Sequence, residues 1–315
     1  AHLYPKGAVV LHMMRFVLGD KPFTRAMSHF LHKHAFEPVD THDLMKAIKE
    51  ATGQNLDWFF EQWLFRPGHP VFDISYVWNE QNKKLTLTVI QTQDTTQNVP
   101  IFKTPVNIGI VTADTQVTKR LWLAKKKEQF VFDLLHKPLL VRFDQGNFLL
   151  KEWTFTKSVD ELLYQLNHDD VIGRSWAASE LKKFKDDPRS LSALRASAKN
   201  DPFWYVRKTA IESMAVFHPV KQIAFLQNKS RDKNSKVRAA ALKVLGDFKN
   251  LALLEFFIER FKNDDSYLAQ AEALRAVGKC GVSSAKKFLQ KTAKMHSPRN
   301  VIQRAAKWAL EQMNN

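Results

Sequence analysis

The pattern of apolar and polar positions divides the chain into three stretches. Up to about Trp63, apolar residues recur at spacings of three and four, which predicts a series of short helices. The first of these ends near Gly19, and a second spans Phe23 to His34. A third begins at Thr41 as its N-cap and ends at Gly53 as its C-cap, before an aromatic-rich helix over residues 55–64.

After the breaker run at residues 66–70, the period drops to two. Apolar residues alternate with polar ones, for example in Phe72/Ile74/Tyr76 and Val106/Ile108/Ile110, as half-buried strands require. About seven short strands fit between position 71 and Phe155. That number of strands in so short a stretch predicts a small antiparallel β-sandwich.

An internal repeat begins after Ser158. Equivalent positions 174, 207, 238, 270 and 303 are spaced by 33, 31, 32 and 33 residues, and the first three are arginines that follow a turn aspartate. One helical hairpin cannot bury its apolar face alone, so about five stacked hairpins are expected to form an α-solenoid. The turn aspartate followed by a Val-Arg pair resembles the HEAT-like repeat family.

The predicted fold class is therefore a multidomain α+β chain. Its domains are expected over residues 1–70, which are helical, 71–155, which form the sandwich, and 156–315, which form the solenoid.

Composition limits the function classes. The chain lacks an apolar run long enough to span a bilayer, so no membrane segment is expected in it. The net charge is +16, and about three quarters of the excess follows residue 155. Such an excess can attract acidic partners or form a solvated helical surface. The compartment is not predicted by a single cysteine, Cys280.

Four short strings occur in order within the first seventy residues. They are Tyr-Pro-Lys-Gly-Ala at 4–8, Leu-Gly-Asp at 18–20, Trp-Phe-Phe-Glu-Gln-Trp at 58–63 and Pro-Gly-His-Pro at 67–70. Each is weak alone, but their order resembles the aminopeptidase N family of gluzincin metallopeptidases. The resemblance implies that residues 1–70 are the C-terminal helical part of a zinc peptidase domain, followed by a β-sandwich.

The resemblance also assigns a role to Tyr4. In this family the equivalent tyrosine stabilises the negative charge that grows on the carbonyl oxygen when a zinc-bound hydroxide attacks a peptide. A phenol with an ordinary pKa near 10 remains a hydrogen-bond donor at neutral pH, which suits this task. From the residues alone, Tyr4 could instead be a partly buried tyrosine at a helix start.

The sequence departs from the family in what it lacks. The His-Glu-x-x-His motif and the Gly-x-Met-Glu-Asn motif are both absent. The chain opens on Ala1 and directly on motif content, so we expect it to be the C-terminal part of a longer protein. Zinc is then expected in the full-length parent and not in this chain. The chain alone is predicted to be inactive, and its partners are peptide substrates and the missing N-terminal part.

The histidines do not predict a different metal site. His29, His32 and His34 lie close in sequence, but no carboxylate or cysteine is placed to complete a site, so a surface or packing cluster is predicted. His2, His12 and His69 are scattered and carry the same interpretation.

Two hypotheses remain for the repeats. In the aminopeptidase family a helical superhelix covers the active-site cleft, and Arg174, Arg207 and Arg238 could then bind the C-terminal carboxylate of a peptide substrate. These arginines could instead cap or pair with the turn aspartates Asp170, Asp201 and Asp232. The alternative function is a non-catalytic HEAT-repeat module that binds a protein partner. Nucleic acid is not expected, because the repeat tryptophans fall at core positions.

Overall fold

A computed structural model of the chain describes residues 3–313, apart from the side chains at positions 3 and 221; His2 lies outside this range. The chain begins with a helical segment. Its helices are α1 (Leu3–Leu18), α2 (Asp20–Lys33), α3 (Thr41–Thr52) and the single turn α4 (Asp57–Phe60), which continues into a π-helical turn at Glu61–Phe65.

The ends of α3 follow from local chemistry. Its N-cap is Asp40, whose carboxylate accepts hydrogen bonds from the backbone N–H groups of His42 and Asp43, while the Asp40 N–H donates to the Asp43 carboxylate. The predicted N-cap at Thr41 is therefore wrong by one residue, because the carboxylate just before it satisfies the free N–H groups. Gly53 ends the helix in the left-handed conformation, with φ at 71°, which confirms the predicted C-cap.

Seven strands follow among the described residues. They are β1 (Val71–Asn79), β2 (Lys84–Gln91), β3 (Thr104–Val111), β4 (Gln116–Leu123), β5 (Lys127–Asp133), β6 (Leu140–Phe143) and β7 (Glu152–Phe155). They form a four-stranded sheet in the order β5-β2-β1-β7 and a three-stranded sheet in the order β4-β3-β6.

The two sheets make the predicted sandwich, with one difference in strand direction. The Phe72 ring of β1 lies 5.2 Å from the Phe143 ring of β6, so side chains of the two sheets meet in one core. The strand pairs are antiparallel except β1 and β7, which run parallel in the register Val71 to Glu152. The chain reaches β7 from β6 in the other sheet, so β7 is not the return strand of a hairpin with β1.

The C-terminal region consists of five helical hairpins. Their helices are α5 (Val159–His168), α6 (Val171–Leu181), α7 (Pro188–Asn200), α8 (Trp204–Ser213), α9 (Ile223–Lys229), α10 (Ser235–Asp247), α11 (Leu254–Asn263), α12 (Tyr267–Cys280), α13 (Lys286–Thr292) and α14 (Val301–Gln312).

The second helices α6, α8, α10, α12 and α14 pack in succession and make a continuous core of alanine and leucine side chains. This arrangement is a solenoid and, with the helical segment and the sandwich, confirms the predicted fold class.

Contacts group the chain into two compact units, Ala1–Lys157 and Ser158–Asn315. The first holds the helical segment and the sandwich, and the second holds the solenoid. The division of the first unit into domains at residue 70 stays a prediction. Over residues 3–313, no helix combines the length and the apolar character needed to cross a membrane.

Candidate functional site

Tyr4 lies in the first turn of α1, and 87% of its surface is exposed. No hydrogen bond joins its hydroxyl to another described residue, so the phenol is available to an outside group. Ala8 and Leu11 are also exposed, and their spacing from Tyr4 places all three on one side of the helix. A Cβ atom at Gly7 would meet nothing within 4 Å, so no close neighbour in the described part of the chain explains this glycine.

The aromatic helix before the sandwich is core. Phe59, Phe60 and Trp63 are buried and pack in the core. Gln62, also buried, accepts a hydrogen bond from the Lys103 backbone N–H at 2.8 Å and donates its amide to the Lys103 carbonyl at 2.5 Å. The side chain therefore acts like one more strand residue and joins the helical segment to the residue before β3.

The Pro-Gly-His-Pro turn requires glycine at its second position for steric reasons. Gly68 has φ at 82°, and a Cβ atom there would lie 2.7 Å from Val99. The next residue, His69, pairs with Glu152 of β7 at 2.9 Å. The turn thereby fixes where the helical segment ends and where β1 begins beside β7.

The histidines of the predicted cluster pair with neighbouring groups at the surface. His29 lies 2.8 Å from Glu50, and the Lys33 ammonium donates to the same carboxylate at 2.7 Å. Hydrogen bonds from Lys33 and then His29 lower the pKa of Glu50 to about 2. His32 lies 2.7 Å from the Ser28 carbonyl through Nδ1.

The histidine cluster and the other described residues do not form a zinc site. Residues 3–313 hold no group of three or more His, Cys, Asp or Glu side chains placed to bind a metal ion. At the His29–Glu50 pair, the Lys33 ammonium already donates to the carboxylate that a cation would need. The other pair, His34 and Glu37, has its nearest atoms 3.5 Å apart.

The three repeat arginines form a ladder between successive hairpins. Each guanidinium makes two hydrogen bonds to the aspartate at the turn of the next hairpin: Arg174 to Asp201, Arg207 to Asp232 and Arg238 to Asp264, with donor–acceptor distances of 2.7 to 3.2 Å. A third donor of each arginine reaches a backbone carbonyl at the turn of its own hairpin, that of Asp169, Asp201 or Asp232. The fourth repeat has Gln270 at this position, and it keeps only the bond to its own turn, at the Asp264 carbonyl.

Electrostatics follow from this geometry. The Asp201 hydrogen bond raises the pKa of Arg174. Burial pushes the pKa of Asp232 upward, but hydrogen bonds from Arg207 and from the Asn234 backbone lower it below the ordinary aspartate value.

Two of the turn aspartates are thus partners of arginines, each from the repeat before, whereas Asp170 caps α6 through the Gly173 N–H. The sequence leaves open that these arginines cap or pair with turn aspartates, and it does not indicate that the partner lies one repeat further along. Binding of a peptide carboxylate by Arg174, Arg207 and Arg238 stays a prediction.

This combination of a helical segment, a sandwich and a helical solenoid defines a class of multidomain protein, and two family models match parts of the chain. The model of the peptidase family M1 domain matches residues 1–63, and the HEAT repeats model matches residues 148–215 and 192–271. Residues 1–63 are therefore similar to a peptidase family M1 domain, and the second unit carries HEAT repeats.

Curated aminopeptidases are also similar to parts of the chain. Aminopeptidase N of Lactococcus lactis is 35% identical over 77 residues, which is 24% of this chain and 9% of that protein. Aminopeptidase M1-C of Oryza sativa is 25% identical over 174 residues, covering 54% of this chain and 18% of the relative. Probable aminopeptidase 1 of Sulfurisphaera tokodaii is 22% identical over 243 residues, covering 73% of this chain and 30% of the relative.

A solved structure shows the same fold. The crystal structure of Legionella pneumophila aminopeptidase A in complex with aspartic acid matches 98% of this chain with a TM-score of 0.69 and 16% identity, and the match covers 47% of that chain. The chain therefore spans less than half the length of each of these relatives.

Proposed function

We propose that this chain is the C-terminal portion of a zinc-dependent aminopeptidase that removes N-terminal residues from peptides. The observation that carries the proposal is the family M1 match over residues 1–63, which contains Tyr4 and ends at the buried aromatic helix. The relatives are named aminopeptidases, and the chain corresponds to a small part of each.

In this proposal Tyr4 contributes to transition-state stabilisation. A phenol aimed at the carbonyl oxygen of the scissile bond donates a hydrogen bond as negative charge develops there. The exposed hydroxyl at the first turn of α1 is free to make such a bond. The proposed capping role of the HEAT repeats rests on the family resemblance alone.

We further propose that another part of the complete protein holds the zinc, because the described residues do not fit the ion. The exposed apolar side of α1 that carries Tyr4, Ala8 and Leu11 supports contact with that part. Zinc bound there would supply Lewis-acid chemistry, and this chain would supply the tyrosine donor.

The test is an aminopeptidase assay with zinc quantification on the complete protein and on the 315-residue chain. The proposal expects the complete protein to bind zinc and to release N-terminal residues from a peptide. The chain alone is expected to do neither. Zinc-dependent cleavage by the chain alone would overturn the assignment of the zinc site to another part.

A further inference from the structure

The second helices of the last four repeats enclose an open groove in the second unit. Its cavity has a volume of about 790 Å³. Alanines on α10 and α12 form its floor, and their short side chains leave a depression between longer neighbours. The lining residues recur along each helix at spacings of three and four, so one side of every helix faces the groove. They include Lys208 and Glu212 on α8, Lys236 and Lys243 on α10, Glu272 and Arg275 on α12, and Arg304 and Trp308 on α14.

Cations outnumber carboxylates around this groove, five to two. Lys208 pairs with Glu212 at 2.7 Å, and Arg275 pairs with Glu272, so two of the cations are already neutralised. The three remaining cations lie on α10 and α14.

These three cations have no carboxylate partner among residues 3–313. Lys236 lies over the Trp204 ring at 4.4 Å, which holds its stem in place and leaves the ammonium unpaired with any carboxylate. Lys243 and Arg304 are exposed, and each is without an ion pair to any other described residue. The groove thus has a net positive charge that no carboxylate among residues 3–313 neutralises.

We propose that this groove binds an extended acidic peptide segment, with side-chain carboxylates at Lys236, Lys243 and Arg304. Packed helices lie roughly 8–10 Å apart, so four helix axes span about 27 Å, the length of an extended peptide of about eight to ten residues. Every residue of the groove lies in the second unit, so binding at this site can be measured separately from peptidase activity.

The lining favours a peptide over a nucleic acid. Glu212 and Glu272 face the same groove, and a uniform row of phosphates would meet both of them. A peptide can place neutral side chains or backbone N–H groups there and its carboxylates at the free cations. The groove aromatic, Trp308, is only partly exposed and packs on the solenoid core, which does not suit base stacking.

The experiment measures fluorescence anisotropy of a labelled Glu-rich peptide of about ten residues, the length that spans the groove, with the 315-residue chain. The double variant Lys243→Glu/Arg304→Glu is expected to weaken binding roughly tenfold or more, because two attractive contacts become repulsive. The variant Lys243→Ala/Arg304→Ala should lie between the parent and the charge-reversed chain.

The matched control is Lys262→Glu/Lys287→Glu, which changes the net charge equally at exposed positions on α11 and α13 outside the groove. If this control binds the peptide as the parent chain does, the result supports binding in the groove. If it weakens binding as much as Lys243→Glu/Arg304→Glu does, general charge attraction explains the binding and the proposal is wrong. Absence of peptide binding also overturns the proposal. So does tighter, groove-dependent binding of a single-stranded oligonucleotide, which would indicate a nucleic-acid site instead.

Discussion

At the scale of single residues, Arg207 shows how neighbouring repeats are held in register. The residue is 3% exposed, and its guanidinium donates two hydrogen bonds to Asp232, at 2.9 and 3.0 Å. A pair of this geometry fixes the distance between two hairpins as well as their charge balance. Removing one partner leaves the other charge buried without compensation.

We therefore expect Arg207→Ala to lower the free energy of unfolding of the second unit by about 3 kcal/mol, because Asp232 loses its buried partner. The measurement is guanidinium chloride unfolding followed by circular dichroism. Arg189→Ala is the control, since Arg189 pairs with Asp187 and Asp160 on an exposed surface and should change stability little. Equal effects of the two substitutions would contradict the ladder.

Asp264 predicts how stability depends on pH. Burial pushes its pKa upward, but hydrogen bonds from Arg238, the Ser266 backbone and Arg260 more than offset this, and the net pKa is lowered. A carboxylate with a lowered folded-state pKa contributes stability above its unfolded-state pKa, near 3.9, and loses it as pH falls through the folded-state value.

Asp264→Asn should therefore be less stable than the parent at neutral pH, and the difference should shrink as pH falls below about 4. Unfolding curves recorded from neutral pH into this acid range test it. A difference that stays constant with pH would show that ionised Asp264 is not the source of the stability.

Sequence predicts the ladder positions but not their partners. The constant spacing identifies Arg174, Arg207 and Arg238 as equivalent, because each follows a turn aspartate in its repeat. The acceptor carboxylate lies 25 to 27 residues further on, and only the stacking of one hairpin on the next brings the two together.

At the scale of elements, close approach of helices sets the packing of the solenoid. A Cβ atom on Gly278 of α12 would lie 2.5 Å from the Ala309 Cα and 2.7 Å from its carbonyl oxygen on α14. Backbone atoms cannot rotate away as a side chain can. The two helices can therefore keep this distance only with glycine at position 278.

Gly278→Ala should force α12 and α14 apart and cost about 1–3 kcal/mol of unfolding free energy, the range seen for overpacked cores. Gly7→Ala is the matched control, because it places the same methyl group on a helix where nothing lies within 4 Å. That control should be neutral or stabilising by up to about 1 kcal/mol through helix propensity. Denaturant unfolding of both variants measures the contrast, and a neutral Gly278→Ala would contradict it.

The sequence predicts where strands lie, but it does not predict which strands pair or in which direction. Alternating residues such as Leu85, Leu87 and Val89 predict a half-buried strand, and the structure has β2 there. The parallel pairing of β1 with β7 joins residues about eighty positions apart, which no local pattern encodes. The same holds for the bonds between Gln62 and Lys103.

At the scale of the whole molecule, short-range patterns predict the order of architectures: helices, sandwich, solenoid. Each architecture has its own period: three to four residues in the helices, two in the strands, and about 32 between repeats of the solenoid. These periods predict the elements because they reflect which side of each element is buried. The functional assignment depends on something else. Tyr4 is exposed and unpartnered among residues 3–313, so its proposed role depends on groups outside these residues.

The most direct test of this account is the ratio kcat/KM for peptide cleavage by the complete protein, compared between Tyr4→Phe and the parent. Loss of one oxyanion donor predicts a fall of about 10²–10³, expressed in kcat with KM little changed. Tyr267→Phe is the control, since Tyr267 is also an exposed tyrosine in the first turn of a helix and should leave cleavage unchanged. If Tyr4→Phe cleaved peptides as fast as Tyr267→Phe, the proposed role of Tyr4 would be wrong.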